Sequence, residues 1–450
     1  MNFKIYDTIP PYNTIGSSDG FKIWYTLGIH PPPGGTLDLT FGPNGTGLVH
    51  TNFSGNSTDV GYSIAIDTSN RILLGGYTNG YGSGNDFAIA RYLSSGTLDL
   101  TFGSSGTGLV HTNFLGSSDD RGYSLVIDNN NRILLGGYTN GYGGNDFAIA
   151  RYLSSGTLDL TFGSSGTGLV TNFLGSSTDR GQSLVIDNNN RILLGGVTIG
   201  ITTYFAIARY LDSGILDLTF NGTGLVQTSF TPGSTDSGYS LIIDYSNNKI
   251  LLGGYTTGYG PGDFAIARYL STGALDPSFG TAGLVYTPFT PGSTDIGYSL
   301  VIDYSNNKIL LGGYTTGYGI YYFAIARYLS NGTLDTSFGP SGTGLVRTNF
   351  TATSFDIGQS MVIDSSNRIL LGGYTTGYGS YDFAIARYTI NGILDLTFGT
   401  AGLVHTNFTA TSYDFGYSLV IFTNNRILLG GSTDGYGTSP DFAIACYYNS

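Results

Sequence analysis

The sequence contains no glutamate, a single cysteine and few charged residues. Only 11% of its 450 residues are charged, and all 30 acidic residues are aspartate. Because glutamate favours helices whereas aspartate favours turns, this choice of acid argues against a helical protein. One cysteine, Cys446, excludes an intramolecular disulfide framework and a zinc site made only of cysteines.

The chain also lacks clustered positive charge and long apolar runs. It has 18 Lys and Arg residues against 30 Asp, which gives a net charge of −12. Nucleic-acid and anionic-membrane binding both require clustered Lys and Arg, so neither is expected. No apolar run reaches the roughly 18 residues of a membrane-spanning helix, so we expect no membrane insertion. Residues 1–20 lack the charged head and apolar core of a secretory signal.

Glycine, tyrosine and phenylalanine are abundant, with 71, 35 and 26 residues. Apolar residues alternate with others over short runs, and Gly, Asn, Asp and Ser bound these runs. Such alternation with such boundaries is typical of β-strands joined by tight turns. The composition and the pattern therefore predict an all-β protein.

The chain is a series of similar units, each about 60 residues long, and every unit carries the motif Leu-Asp-x-Thr/Ser-Phe. In the second unit, strand-like runs cover residues 122–128, 132–139, 146–153 and 168–173, which we name a, b, c and d. Four-stranded antiparallel units repeated in this way are the mark of a β-propeller. We therefore predict a seven-bladed β-propeller of four-stranded antiparallel blades. The motif begins at Leu37, Leu98, Leu158, Leu216, Leu275, Leu334 and Leu394.

The two ends of the chain predict how the ring closes. The sequence stops just after the seventh c run, so the last unit lacks a d run, while residues 47–53 form a d run before the first a run. We predict that this N-terminal strand completes the last blade, which would protect two exposed strand edges. Residues 35–450 then form one propeller domain. Residues 1–34 are an N-terminal arm with a degenerate strand at 21–25, expected to lie over the last blade or outside it.

Several motifs together resemble a known repeat family. Arg/Lys-Ile-Leu-Leu-Gly-Gly is followed by Asp-Phe-Ala-Ile-Ala-Arg-Tyr and then by Gly-x-Leu-Asp-x-Thr/Ser-Phe-Gly. This order resembles the delta-60 repeat of predicted propellers in secreted and cell-surface microbial proteins, over residues 35–450. The resemblance implies a propeller and no common active site. With the low charge and the high Gly, Ser, Thr, Asn and Tyr content, it leads us to expect an extracellular, cell-surface or particle-associated protein.

The aspartate of the Leu-Asp-x-Thr motif recurs together with an arginine in run c. Its carboxylate could accept backbone N–H bonds within its own turn, or it could pair with the arginine of the same unit. In the last unit Cys446 replaces that arginine. We expect a structural role for these pairs.

A second set of aspartates stands at the entry to run a, two residues before a glycine in every unit. Run a is the innermost strand of a propeller blade. These residues either cap turns or form a ring of carboxylates at one mouth of the central channel, where they could bind a ligand or a cation. We call them the ring aspartates: Asp59, Asp120, Asp179, Asp236, Asp295, Asp356 and Asp414.

Tyrosines recur in a Gly-Tyr-Gly loop between runs b and c, on the face that also carries the ring aspartates. They either fold over their own loops or present rings that stack on a sugar or contact a protein. We call them the loop tyrosines: Tyr81, Tyr142, Tyr259, Tyr318, Tyr378 and Tyr436.

No catalytic constellation is evident, so we predict no catalytic residues and no cofactor. His50, His111 and His405 share one position of run d, but they belong to different blades, so we do not expect them to share a metal ion. Calcium is the one cation for which the chain offers oxygens, yet residues 128–131 lack the spacing and glycine of an EF-hand loop.

These observations predict a non-enzymatic scaffold whose loop faces meet a protein or glycan partner. Near-identical units suit such a surface better than catalysis, which needs distinct residues from different blades at one place. A carbohydrate-binding propeller that uses the loop tyrosines and ring aspartates is the alternative. A hydrolase or lyase at the channel mouth is a third hypothesis.

Overall fold

The computed structural model describes residues 14–16, 22–24 and 32–450, except residues 83, 142, 173–177 and 438. The described residues form thirty strands and one short 3-10 helix at Gly317–Gly319. No helix in this part of the chain is long and apolar enough to cross a membrane. The prediction of an all-β fold is confirmed.

Seven four-stranded antiparallel sheets follow one another along the chain as the blades of a propeller. The strands before blade 1 are β1 (Thr14–Gly16), β2 (Lys22–Trp24) and β3 (Leu48–Thr51). Blades 1 to 4 contain β4 (Asp59–Ile66), β5 (Ile72–Thr78), β6 (Asp86–Tyr92), β7 (Leu109–Thr112), β8 (Asp120–Ile127), β9 (Ile133–Thr139), β10 (Asp146–Tyr152), β11 (Leu169–Asn172), β12 (Thr178–Ile186), β13 (Ile192–Ile199), β14 (Thr203–Tyr210), β15 (Leu225–Thr228), β16 (Asp236–Asp244), β17 (Lys249–Thr256), β18 (Asp263–Tyr269) and β19 (Leu284–Thr287). Blades 5 to 7 contain β20 (Asp295–Asp303), β21 (Lys308–Thr315), β22 (Tyr322–Tyr328), β23 (Leu345–Thr348), β24 (Asp356–Ile363), β25 (Ile369–Thr375), β26 (Asp382–Tyr388), β27 (Leu403–Thr406), β28 (Asp414–Phe422), β29 (Arg426–Thr433) and β30 (Asp441–Tyr448).

The N-terminal strand closes the ring as predicted. The last sheet has the order β28-β29-β30-β3, with His50 opposite Ala443 in an antiparallel ladder. The chain just upstream continues this pairing, since the Gly35 N–H donates to the Tyr448 carbonyl at 2.7 Å. The degenerate strand of the arm, β2, pairs with β1 in a two-stranded sheet.

The hydrophobic core consists of layers between neighbouring blades. Every side chain of β10 is buried, because one face of the strand meets the blade before it and the other meets the blade after it. Phe147 and Ile149 of blade 2 pack with Ala206 and Ala208 of blade 3. Large residues on one blade face small residues on the next, and this close approach explains the Phe-Ala-Ile-Ala pattern.

The innermost strand of every blade contains a β-bulge, which turns one side chain towards the centre of the ring. The register shifts between Gly61 and Ser63 in blade 1, and the other six blades shift at the equivalent place. The bulged residue is tyrosine in five blades and glutamine in two. The Tyr62 ring contacts the rings of Tyr123 and Tyr417 from the two adjacent blades, both with centroids 4.7 Å apart.

A belt of hydrogen bonds links the innermost strands around the whole ring. The Ser63 hydroxyl accepts the Leu125 N–H of the next blade at 3.0 Å, and the same contact recurs at all seven boundaries between blades. The hydroxyls of this belt belong to Ser63, Ser124, Ser183, Ser240, Ser299, Ser360 and Ser418.

The recurring arginine and aspartate pair inside each unit, as predicted. Arg151 Nε lies 2.8 Å from Asp159 Oδ2, and the guanidinium stacks on the Phe162 ring at 4.4 Å. Asp159 also accepts the Thr161 N–H at 3.0 Å, so the turn and the ion pair use the same carboxylate. In the last blade, where Cys446 replaces the arginine, Arg426 reaches the equivalent Asp38 at 3.0 Å.

Candidate functional site

The loops that precede strands a and the loops between strands b and c lie on one face of the disc, which we call the loop face. They interlock across neighbouring blades, because the Asp120 N–H at the entry to blade 2 donates to the Asn85 carbonyl of blade 1 at 2.7 Å. The described residues of the loop face precede strands a at 52–58, 113–119, 229–235, 288–294, 349–355 and 407–413, and precede strands c at 79–82, 84–85, 140–141, 143–145, 200–202, 257–262, 316–321, 376–381, 434–437 and 439–440.

The seven ring aspartates lie beneath the loop face, and each is 0% exposed. Asp59 Oδ2 accepts the Phe53 N–H and the Ser57 hydroxyl, each at 2.8 Å, while Oδ1 accepts the Thr78 hydroxyl. The N–H and serine contacts recur in every blade whose d–a loop is described. The carboxylates therefore fasten the d–a loops to their own blades, and the solvent-facing atoms of this face belong to other residues.

A buried carboxylate at the start of strand c faces the ring aspartate of the next blade. Burial and the nearby Asp179 raise the pKa of Asp146 to about 6. Burial and Asp295 raise the pKa of Asp263 to the same value, and burial is also the main cause that raises the pKa of Asp414 to about 6. Two negative charges in one low-dielectric seam disfavour ionisation.

These shifted groups set an expected pH dependence of stability. A folded-state pKa near 6 exceeds the unfolded value of about 3.9. The contribution of these carboxyl groups to the free energy of unfolding is therefore complete below pH 4 and is lost as the pH rises through 6. We expect Asp146→Asn with Asp263→Asn to raise the thermal midpoint more at pH 7 than at pH 5. An equal rise at both pH values, measured by calorimetry, would contradict this.

The opposite shift occurs in the Leu-Asp-x-Thr turns. Burial raises the pKa of Asp335, but hydrogen bonds from Ser337 and the charge of Arg327 outweigh it and lower that pKa to about 2. This contribution to stability is present above the unfolded pKa of about 3.9 and is lost as the pH falls through the folded value. The two sets together place the stability maximum on the acid side of neutrality.

The loop tyrosines whose side chains are described lie on the loop face and are 43–50% exposed. Each stacks on a residue of strand d in its own blade: the Tyr81 ring lies 3.6 Å from that of His111, and the Tyr259 ring 3.6 Å from that of Tyr286. The Tyr81 hydroxyl also donates to the Phe53 carbonyl at 2.9 Å. The remaining described members are Tyr378 and Tyr436, while Tyr142 and the side chain of Tyr318 lie outside the described residues.

The three strand-d histidines each lie between a tyrosine ring and a carboxylate. His111 Nδ1 lies 3.1 Å from Asp86 Oδ2, and the same arrangement holds for His50 with Asp441 and for His405 with Asp382. The three sites occupy blades 7, 1 and 6, which are neighbours. Within the described residues, no group of three or more His, Cys or Asp side chains could together hold a metal ion.

Five further aromatic residues crowd two adjacent seams of the loop face, and the sequence analysis did not select them. At the seam between blades 6 and 7, the Tyr381 ring lies 4.9 Å from Phe415 and 5.8 Å from Tyr413. At the seam between blades 5 and 6, the Tyr321 and Phe355 rings meet at 5.2 Å, edge to face. We call these five residues the aromatic sector.

The far side of the channel mouth has a different character. Arg121 and Arg180 occupy the repeat position that Phe415 occupies in blade 7. The Arg121 guanidinium lies 5.0 Å from the centre of the Tyr77 ring and pairs with Asp119 at 3.0 Å. The residue that follows the ring aspartate is thus arginine in blades 2 and 3 and phenylalanine in blade 7, although the strands of these blades are arranged alike.

Six stretches of the chain match the family model described as "Domain of unknown function (DUF5122) beta-propeller". Over these stretches the chain is similar to this family. The matches fall in every blade except the third and cover strands b and c, with the turn that follows strand c in all but the last blade. They comprise residues 68–102, 129–162, 246–279, 305–338, 365–398 and 423–448.

No curated protein matches the chain in sequence. Among solved structures, a protein of unknown function from Dyadobacter fermentans DSM 18053 aligns with 90% of this chain and 100% of its own, at 11% identity and a TM-score of 0.46. Sqt1 from Chaetomium thermophilum covers the same shares at 11% identity and 0.45. The polysaccharide lyase Uly1 aligns over 87% of this chain and 90% of its own, at 10% identity and 0.45. At such values these likenesses support no statement about function.

Proposed function

We propose that the chain is a non-enzymatic scaffold that holds a protein or surface partner on its loop face. The observation that carries this proposal is a division between constant and variable residues. The ring aspartates, constant in all blades, are 0% exposed, whereas Phe355 and Tyr413 in the variable position just before them are 43% and 51% exposed. Constant residues hold the loops, and variable residues meet the solvent.

The rigidity of the ring suits a presenting surface. The serine belt links every innermost strand to the next, and the d–a loops are fastened by buried carboxylates. A surface that is already ordered loses little conformational entropy on binding. The exposed aromatic rings are the residue types that most often anchor interfaces.

The ring aspartates are engaged in local contacts, which supports a scaffold over channel-mouth chemistry. A general base or a nucleophilic carboxylate has to reach its substrate. The Asp59 oxygens are occupied by Phe53, Ser57 and Thr78, and they have no exposed surface. We place the protein outside the cell, at the cell surface or on a particle, on the strength of its low charge and polar composition.

Variants of the two faces test this proposal. The immobilised protein is used to capture partners from cell-surface extract of its source. Wild type and a variant of the opposite face, Leu100→Thr with Leu160→Thr, are expected to capture the same partner. Phe355→Thr with Tyr413→Thr should lower the recovered amount about tenfold. Equal capture by the loop-face variant, or loss in the opposite-face variant alone, would overturn the proposal.

A further inference from the structure

The aromatic sector departs from the repeat at paired positions. Directly before the ring aspartate, blades 1, 4 and 5 carry Thr58, Thr235 and Thr294, whereas blades 6 and 7 carry Phe355 and Tyr413. On the facing b–c loops, where blades 1 and 2 carry asparagine and blade 4 carries glycine, blades 5 and 6 carry tyrosine. Both sides of a seam change together, and they do so at two neighbouring seams.

Closure of the seams does not require these rings. The Asp414 N–H donates to the Tyr381 carbonyl at 2.7 Å, and the Asp295 N–H donates to the Gly262 carbonyl, also at 2.7 Å. A backbone bond of this kind therefore joins the blades whether the loop residue is tyrosine or glycine, and at the Tyr321 seam the Asp356 N–H donates to the Tyr321 carbonyl at 3.3 Å. The aromatic side chains are an addition to a seam that is already complete.

The rings stay accessible although apolar surface is costly to expose. Phe355 and Tyr413 are roughly half exposed. Beneath the sector, Tyr374 holds Phe415 edge to face at 5.0 Å and Tyr381 at 5.8 Å, so the exposed rings stand on a packed base. Clustered exposed aromatics on a soluble protein mark a binding surface.

Polar groups border the rings. Asp434 Oδ1 accepts the Tyr413 N–H at 2.6 Å, and the Thr376 hydroxyl accepts the Phe355 N–H at 2.9 Å. The second carboxylate oxygen of Asp434 and the tyrosine hydroxyls remain acceptors or donors at the edge of a flat apolar surface. A sugar ring has the matching character, with apolar C–H faces and hydroxyls around its edge.

We propose that the aromatic sector binds a neutral oligosaccharide, whose sugar rings stack on the Tyr321–Phe355 and Tyr381–Tyr413 pairs. Two neighbouring seams with equivalent pairs fit a ligand of several sugar units better than a single sugar. The net charge of −12 disfavours a polyanionic chain. This inference rests on the proposed function, because it names the ligand class that the loop face takes.

Calorimetric titration of the full chain with neutral hexasaccharides tests the inference; the probes are cellohexaose, xylohexaose, mannohexaose and maltohexaose. At least one is expected to bind the wild type. Phe355→Thr and Tyr413→Thr, which insert the residue of blades 1, 4 and 5, should each weaken binding about tenfold. The matched control is Leu100→Thr, an exposed apolar residue on the opposite face of the disc, which should change the affinity less than about twofold.

Three outcomes would overturn the inference: no neutral hexasaccharide binds the wild type, the threonine variants bind as tightly as wild type, or an oligogalacturonate hexamer binds more tightly than every neutral probe. The capture experiment with the same threonine variants separates this failure from failure of the scaffold. Loss of protein capture without any sugar binding would leave the scaffold standing and remove the oligosaccharide.

Discussion

Replacing Arg151 with methionine is expected to lower the free energy of unfolding by about 3–5 kcal/mol. The arginine is 2% exposed, and its Nε lies 2.8 Å from Asp159 Oδ2. It also donates to the Asp212 carbonyl of the next blade, so its loss breaks a contact between blades. Methionine fills much of the volume but leaves the Asp159 carboxylate buried without its cation. Urea unfolding of the variant measures the difference.

The exposed Arg180 provides the matched control, because Arg180→Met removes the same charge at the surface. That variant should lose less than about 1 kcal/mol. A cation of strand b also approaches this aspartate: Lys249 reaches Asp276 at 2.5 Å in blade 4, and Arg426 reaches Asp38 at 3.0 Å in the last blade, where Cys446 stands in the arginine position. A loss for Arg151→Met no larger than the control would mean that the buried pair contributes little to the fold.

Replacing Asp120 with alanine is expected to lower the free energy of unfolding by about 3 kcal/mol. The side chain is 0% exposed and accepts the Phe114 N–H at 2.8 Å, the Ser118 hydroxyl at 2.8 Å and the Thr139 hydroxyl. Alanine leaves the buried Phe114 N–H without an acceptor, whereas the two hydroxyls can turn to other partners. The d–a loop should loosen, and hydrogen exchange at Phe114 should accelerate together with the loss of stability.

The neighbouring Asp119 is the control, because its partly exposed carboxylate pairs with Arg121 and accepts the Asn85 side-chain amide near the surface. Asp119→Ala should cost less than about 1 kcal/mol. If Asp120→Ala proved as mild as this control, the ring aspartates would not be the fastening of the d–a loops.

The architecture was predictable because the same pattern of four strand-like runs recurs in successive units of the sequence. The strand-like runs of the second unit, residues 122–128 and 146–153, differ from β8 and β10 by no more than two residues at either end. Ring closure was predictable from the number of c and d runs. The first d run has no unit of its own before it, and the last unit has a c run without a d run, so the two can complete one blade. Arm residues such as those of β2 carry no repeat, and their partner in β1 could not be foreseen.

The functional face was less predictable, because sequence does not report exposure. An aspartate such as Asp120 could be an exposed ligand or a buried hydrogen-bond acceptor, and the sequence is the same in both cases. The positions of Phe114, Ser118 and Thr139 around it show that it is a buried acceptor. The aromatic sector did leave a signal: Phe355 and Tyr413 break a column of threonines in the aligned repeats. Such a signal is found by comparing the positions at which the repeats differ, not the positions at which they agree.

The closure of the ring also determines where the chain could be cut. Blade 7 joins the N-terminal β3 to β30, and the Ser450 hydroxyl donates to the Pro32 carbonyl, so the two ends of the domain are already in contact. Every other boundary between blades has the same serine bond and the same kind of apolar layer. A circular permutant with Ser450 linked to Pro32 and new termini in any d–a loop would keep all these contacts, so the order of the blades along the chain is separable from their order in space.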